Sequence, residues 1–306
     1  MENAPPAEPA ETPEPAPTAS PDVKPDAKPK SEWADLGTFV VKLVIIVLIV
    51  RSFVFSPFSI PSESMLPRLL IGDYLFITKF NYGFSRHSLP FSVPLLPNLH
   101  WSDPTRGDVV VFKAPPSANE DWIKRVIGLP GDTVQMVDGQ LILNGKPIPK
   151  QRIDDFVTPI TPNFPAITAE RSHEQGGKCD VQFQKTDAQG MPVCVIPRFR
   201  ETLPNGKSYE VLDQGMMPCL PVLRVCADNT DLYTVPAGHL FLMGDNRDDS
   251  ADSRFPYSQG GISYVPMENI EGKAIFSFWS TDGNANWFLP WTWFTAARWS
   301  RIGEGF

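Results

Sequence analysis

Histidine is scarce in this 306-residue chain, which has four: His87, His100, His173 and His239. There is no HExxH pair, GxSxG elbow, P-loop or GxGxxG turn. The usual signatures of zinc proteases, α/β-hydrolases, P-loop NTPases and dinucleotide enzymes are therefore missing. His239 lies six residues before Asp245, the best spacing available for a Ser-His-Asp arrangement. It reads, however, as a residue of the strand HLFLM and makes a poor base. Cysteine is equally sparse, with four residues at 179, 194, 219 and 226. That is too few for a disulfide scaffold, and the spacings of 15, 25 and 7 fit no common zinc pattern. Outside the cytoplasm they could pair, in any of three ways; unpaired buried thiols are the alternative. Basic residues number 27 against 35 acidic ones, a net charge of −8. A net acidic chain is a poor default partner for nucleic acid. Glycine, at 21 residues, excludes collagen, and a 42% hydrophobic content excludes wholesale disorder.

Proline is abundant but unevenly placed: nine of the 33 fall within residues 1–31, among Ala, Glu, Asp and Lys. With no apolar period, this stretch cannot offset chain entropy by burial and reads as a disordered tail over 1–35. The composition then switches. Leu36–Phe58 is a 23-residue run rich in Val, Ile, Leu and Phe, and as a helix it would cover about 35 Å, enough for a bilayer of about 30 Å. Lys42 and Arg51 flank the uncharged core Leu43–Val50 and can snorkel outward in opposite directions. A cleaved leader would start nearer the N-terminus and leave through small residues. The run is read as a single transmembrane helix. Lys24, Lys28 and Lys30 precede it and only Arg68 follows at similar distance, a bias that puts the N-terminus in the cytoplasm.

Beyond residue 60 no long helical period appears. Tyr74–Phe80, Asp108–Lys113, Trp122–Ile127, His239–Met243 and Lys273–Phe278 are β-branched and aromatic runs. Thr133–Val137 and Leu141–Leu143, joined by Asp138-Gly139, read as a hairpin. The expected fold class is all-β, with a catalytic body over 59–306. Within it, 150–231 is rich in Pro, Gly, Asn and Asp and holds all four cysteines, so it is expected to be an inserted, loop-rich subdomain.

Three segments can carry chemistry. Ser59-Ile-Pro-Ser-Glu-Ser-Met-Leu-Pro67 follows the apolar run, and its prolines favour a rigid extended loop able to hold a hydroxyl. Trp122-Ile-Lys-Arg-Val-Ile-Gly-Leu-Pro-Gly-Asp132 sets Lys124 in an apolar strand. Burial disfavours the charged amine and lowers its pKa. From its reference value near 10.4 such a lysine is only about 0.04% neutral at pH 7; lowered to about 7–8 it can act as a general base. A solvated surface lysine is the plain alternative. Gly244-Asp-Asn-Arg-Asp-Asp-Ser-Ala-Asp-Ser-Arg254 alternates Ser250, Asp252 and Arg254, which reads as one side of an extended stretch or as a solvated loop.

Taken in order, PSESM, GDYLF (72–76), RGDVVVF (106–112), WIKRVIGLPGD and GDNRDDSADSR resemble the bacterial type I signal peptidases, or leader peptidases, of peptidase family S26. The resemblance covers about 36–148 and 235–306, including Arg298–Gly303, and is loose over 150–231. It implies a signal-peptidase-like fold of antiparallel sheets and a Ser–Lys dyad, with Ser64 as nucleophile and Lys124 as general base. It further implies an oxyanion hole from Ser62 and the Ser64 N–H. Ser250 would orient the lysine, with the Asp252–Arg254 ion pair in support. Ile60 and Ile123 would line small substrate pockets. No metal or cofactor is implied. The implied partners are secretory preproteins cut after Ala-x-Ala-like sites, together with membrane lipid; nucleic acid is not among them. The implied location is the bacterial inner membrane, with the catalytic domain extracytoplasmic. Glu63 departs from the Gly of the best-known members, and Arg68 from a common Thr. Trp279, Trp287, Phe288, Trp291, Trp293 and Phe294 would form an interfacial patch if exposed and ordinary core if buried. The alternative function is a membrane-tethered β-domain that binds exported proteins without cutting them. A soluble self-cleaving repressor would lack the apolar span and carry a DNA-binding domain.

Overall fold

The structure, a computed structural model, describes residues 32–84, 99–167, 178–216, 226–286 and 288–306. Segment 1–31 with its lysines, His87, His173, Cys219 and Trp287 lie outside the described residues.

The first element is the α-helix Glu32–Phe53. At 1.5 Å per residue it is about 33 Å long, and Trp33–Phe53 has a mean hydropathy of 2.3. Apolar side chains stand exposed along it from Phe39 to Val50. It is the only helix among the described residues long and apolar enough to cross a membrane. The helix starts four residues before, and stops five residues before, the apolar run expected at 36–58. Pro57 accounts for the early stop: it has no N–H and pushes Ser56 out of helical space. Phe55–Ser59 forms an edge strand instead, where a missing donor is tolerated.

The main sheet has seven antiparallel strands in the order Phe55–Ser59, Asp73–Thr78, Ile270–Ser280, Val109–Lys113, Asp121–Gly128, His239–Met243 and Val265–Pro266. Its central strands are apolar runs because both of their faces are covered. In Asp121–Gly128 every residue from Ile123 onward is buried. Ile123 packs with Ile60, Met65 and Val111, Val126 with Val110 and Leu242, and Ile127 with Val134 and Phe241. Lys124 thus sits in the middle of a strand sealed on both sides. Fully buried residues such as Leu75 and Ile77 each contribute about 1.5–3 kcal/mol of transfer free energy.

The Thr133–Val137 and Gln140–Leu143 hairpin turns at Asp138 and Gly139, whose φ angles of 47° and 70° are those of a type I′ turn. The region expected to be loop-rich carries its own four-stranded antiparallel sheet. Lys150–Pro159 and Pro192–Thr202 are paired, with Gln184–Thr186 and Ser208–Leu212 also pairing the latter. The apolar run Val193–Ile196 outweighs the flanking Pro192 and Pro197, and the strand buries Val193, Cys194 and Ile196. Cys179 and Cys194 form a disulfide, and Cys226 is also disulfide-bonded, so these three are not free thiols.

A buried ion pair joins this second sheet to the loop after His239–Met243. Arg247 donates to Glu201 Oε1 at 2.7 Å and to Oε2 at 2.5 Å, and Tyr209 Oη donates to Glu201 at 2.7 Å. Removing one partner strands the other charge away from water. Glu201→Ala is therefore expected to cost about 3–5 kcal/mol, and to lower Tm by about 10 °C, read by thermal unfolding in detergent. An unchanged Tm would contradict the pairing.

Candidate active site

Three segments meet in one place. The loop 60–72 leaves the edge strand Phe55–Ser59 and is pinned by apolar anchors, Met65, Leu66 and Leu69, each at most 2% exposed. Strand Asp121–Gly128 delivers Lys124. The loop 244–254 returns over both. Lys124 Nζ donates to Ser64 Oγ at 2.8 Å and to the Ile123 carbonyl at 3.1 Å. Ser62 Oγ lies 3.5 Å from Ser64 Oγ. A neutral amine at the same 2.8 Å separation can instead accept the hydroxyl proton.

The 244–254 loop grips the serine loop through its backbone. Asn246 N–H donates to the Ser64 carbonyl at 3.1 Å, and Asn246 Nδ2 to the Glu63 carbonyl at 3.3 Å. Gly244 makes this approach possible, because a Cβ there would collide with the Ser64 carbonyl and with Ser250 Oγ. Arg254 donates to Asp252 twice, from Nε and Nη2, both at 2.9 Å, and Asp252 also accepts the Gly244 N–H at 3.0 Å. Arg125 makes a matching fork on Asp245, at 2.7 and 2.6 Å, and lies over the Tyr209 ring.

Sequence reading named Ser64, Lys124, Ser62, Asp252, Arg254, Ile60 and Ile123, and the structure brings all seven together. Ile60 and Ile123 are buried and line one wall of a cleft of about 830 Å³ that also holds Ser62, Ser64 and Lys124. Ser250 is buried beside Gly244, but it does not hydrogen-bond the lysine. Among the described residues its Oγ has no hydrogen-bond partner. The amine's contacts go to Ser64 and Ile123 instead. His239 Nδ1 meets the Ala237 carbonyl, and the residue does not line the cleft. Arg125, Asp245, Asn246 and Gly244 were missed as functional residues. They sit inside the quoted motifs, but their pairings cross more than a hundred residues of chain. Among the described residues no group of His, Cys, Asp or Glu could hold a metal ion.

Electrostatics follows from burial. Desolvation drives Lys124 from its ordinary 10.5 down to about 8, against the pull of the Asp252 and Asp245 charges. Burial also opposes ionisation of Asp252, but Arg254 and the hydrogen bonds outweigh it and hold the carboxyl below the usual range. Glu63, between the two serines, is pushed up to about 8 by burial and by the Asp249 charge.

The profile of the family described as signal peptidase, peptidase S26, matches residues 33–279. The chain belongs to the S26 signal peptidase family. Curated relatives agree with this assignment. Signal peptidase I of Rickettsia massiliae is 34% identical over 256 residues, covering 82% of this chain and 80% of the relative. That of Rickettsia akari is 34% identical over 263 residues, covering 85% and 82%, and that of Rickettsia prowazekii 32% over 256 residues. A solved signal peptidase I from Enterococcus faecalis is 21% identical, with a TM-score of 0.26, covering 56% of this chain and 97% of the other.

Because the folded pKa of Lys124 lies below the unfolded one, the unfolded chain binds the extra proton between about pH 8 and 10.5. This S26 peptidase should therefore gain stability as pH rises through that window. Lys124→Met removes the group, so its advantage over the parent chain should be largest below pH 8 and shrink towards pH 10.5. Denaturant unfolding of both chains across pH checks this, and a difference independent of pH would contradict the shift.

Proposed function

We propose that this chain is a membrane-anchored serine endopeptidase that removes N-terminal signal peptides from exported preproteins through a Ser64–Lys124 dyad. The observation that carries the reading is the 2.8 Å contact between a buried, pKa-lowered amine and a serine hydroxyl at the head of a cleft. Neutral Lys124 takes the proton of Ser64 Oγ as that oxygen attacks the scissile carbonyl. The tetrahedral oxyanion is received by the Ser64 N–H and Ser62 Oγ, donors of a kind worth about 3–4 kcal/mol in the transition state. The protonated amine returns its proton to the leaving nitrogen, the peptide bond breaks, and an ester to Ser64 remains. Lys124 then deprotonates water, which hydrolyses the ester and restores the enzyme. Asp252, Arg254 and Ser250 hold the loop that covers the amine. The apolar walls at Ile60 and Ile123 fit small side chains, in keeping with Ala-x-Ala-like cut sites.

The anchor in this reading is the helix Glu32–Phe53, with the N-terminus cytoplasmic and residues 59–306 outside the bacterial inner membrane. The Cys179–Cys194 disulfide supports an oxidising compartment for that body. Membrane lipid is a further partner: Phe288, Trp291, Phe294 and Trp299 are 91%, 64%, 65% and 55% exposed. Aromatic side chains of this kind favour the headgroup level.

A cleavage assay on a precursor in detergent or lipid, with the product read by N-terminal sequencing, tests the proposal. Ser64→Ala and Lys124→Arg should each lose at least about 10³-fold in kcat/KM, the latter because a guanidinium does not deprotonate. For the parent chain kcat/KM should rise with pH through about 8. Normal cleavage by Lys124→Arg would discard the dyad, whereas no cleavage by the parent chain would leave a tethered β-domain that only binds exported proteins.

A further inference from the structure

Glu63 stands between Ser62 and Ser64 yet does not share their cleft. Its side chain lines a second, smaller cavity of about 210 Å³, with Lys178, Asp180, Ile196, Gln214 and Asp249. There Glu63 Oε2 accepts the Lys178 backbone N–H at 2.7 Å. Lys178 immediately precedes Cys179, whose disulfide to Cys194 fastens this segment to the long strand Pro192–Thr202. Two more bonds fix the segment: Cys179 N–H to the Pro165 carbonyl at 2.9 Å, and Gln184 Nε2 to the Cys179 carbonyl at 2.9 Å. Leu66, two residues past Ser64, packs into the same cluster as Cys179, Cys194 and Ile196.

The serine loop is therefore held from two sides. Asn246 takes its carbonyls at residues 63 and 64, and the disulfide-stapled segment takes the Glu63 side chain. We propose that Glu63 is a positioning residue: its carboxyl, received by the Lys178 N–H, fixes the loop so that Ser64 Oγ stays within reach of Lys124. This rests on Ser64 being the nucleophile. Reaction rates fall steeply when a reacting atom is displaced, by about 10²-fold for about 1 Å. Loss of the tether should thus appear in kcat, not in substrate binding, since Glu63 does not line the cleft.

The test is steady-state cleavage of one precursor by the full chain in detergent, comparing Glu63→Ala, Glu63→Gln, the Cys179→Ser/Cys194→Ser pair and the combination with Glu63→Ala. Glu63→Ala should lower kcat about 10–100-fold with KM nearly unchanged. Glu63→Gln, whose amide oxygen can accept the same N–H, should restore kcat to within about threefold of the parent. The cysteine pair should lower kcat too, and Glu63→Ala should add little on that background. Parental kcat in Glu63→Ala, equal impairment of the Ala and Gln variants, or full additivity with the cysteine pair would each overturn the proposal. If the cysteine variant does not fold, the Ala and Gln comparison decides alone. A Ser64→Ala control separates the two levels: cleavage by that control would fault the nucleophile assignment itself, whereas an inactive control with a fully active Glu63→Ala faults only the tether.

Discussion

The structure turns on the desolvation of one amine. Lys124 lies within a strand covered on both faces and is 4% exposed, so water cannot stabilise its charge. Two carboxylates, Asp252 and Asp245, lie close enough to pull in the other direction. Each is engaged by its own guanidinium, Arg254 and Arg125, through paired hydrogen bonds. Both carboxylates still pull the amine towards its charged form, and burial outweighs them. Buried ion pairs are weak contributors to stability. Here they hold a loop against Lys124.

Positioning is divided among elements far apart in sequence. The main sheet fixes Lys124, the loop 244–254 fixes the backbone at Ser64, and the second sheet reaches both. It meets the 244–254 loop through Glu201–Arg247, and the segment that Cys179–Cys194 fastens to it meets the serine loop through Lys178–Glu63. This region is thus part of the framework around the cleft, and its disulfide sits one residue from the contact with Glu63.

Much of this was legible in the sequence because strand runs and turn signals are local. Thr133–Val137 and His239–Met243 were placed to the residue, and the Asp138-Gly139 turn has the backbone its residues favour. Ser64 and Lys124 were named from motifs whose combination is specific, and their proximity is a tertiary fact that neither motif contains alone. Less legible was anything decided across long separations. Arg125–Asp245 spans 120 residues and Glu63–Lys178 spans 115, and no local pattern marks either pairing. Composition misled over 150–212, where proline and glycine content masked two strands of ten and eleven residues. The end of the apolar helix was overrun because hydropathy continues through Phe58 while Pro57 stops the helix. The aromatic cluster near the C-terminus was ambiguous, since burial is a property of packing; among its described residues Phe288, Trp291, Trp293 and Phe294 face outward.

The titration of Lys124 is best read on the group itself. Selective isotope labelling of lysine and heteronuclear NMR of the detergent-solubilised chain, with Lys124→Met to assign the signal, gives the pKa of the Lys124 amine directly. A midpoint near 8 is expected from its burial. A midpoint at the ordinary value near 10.5 would mean a solvated, protonated amine and would remove the physical basis for a lysine base.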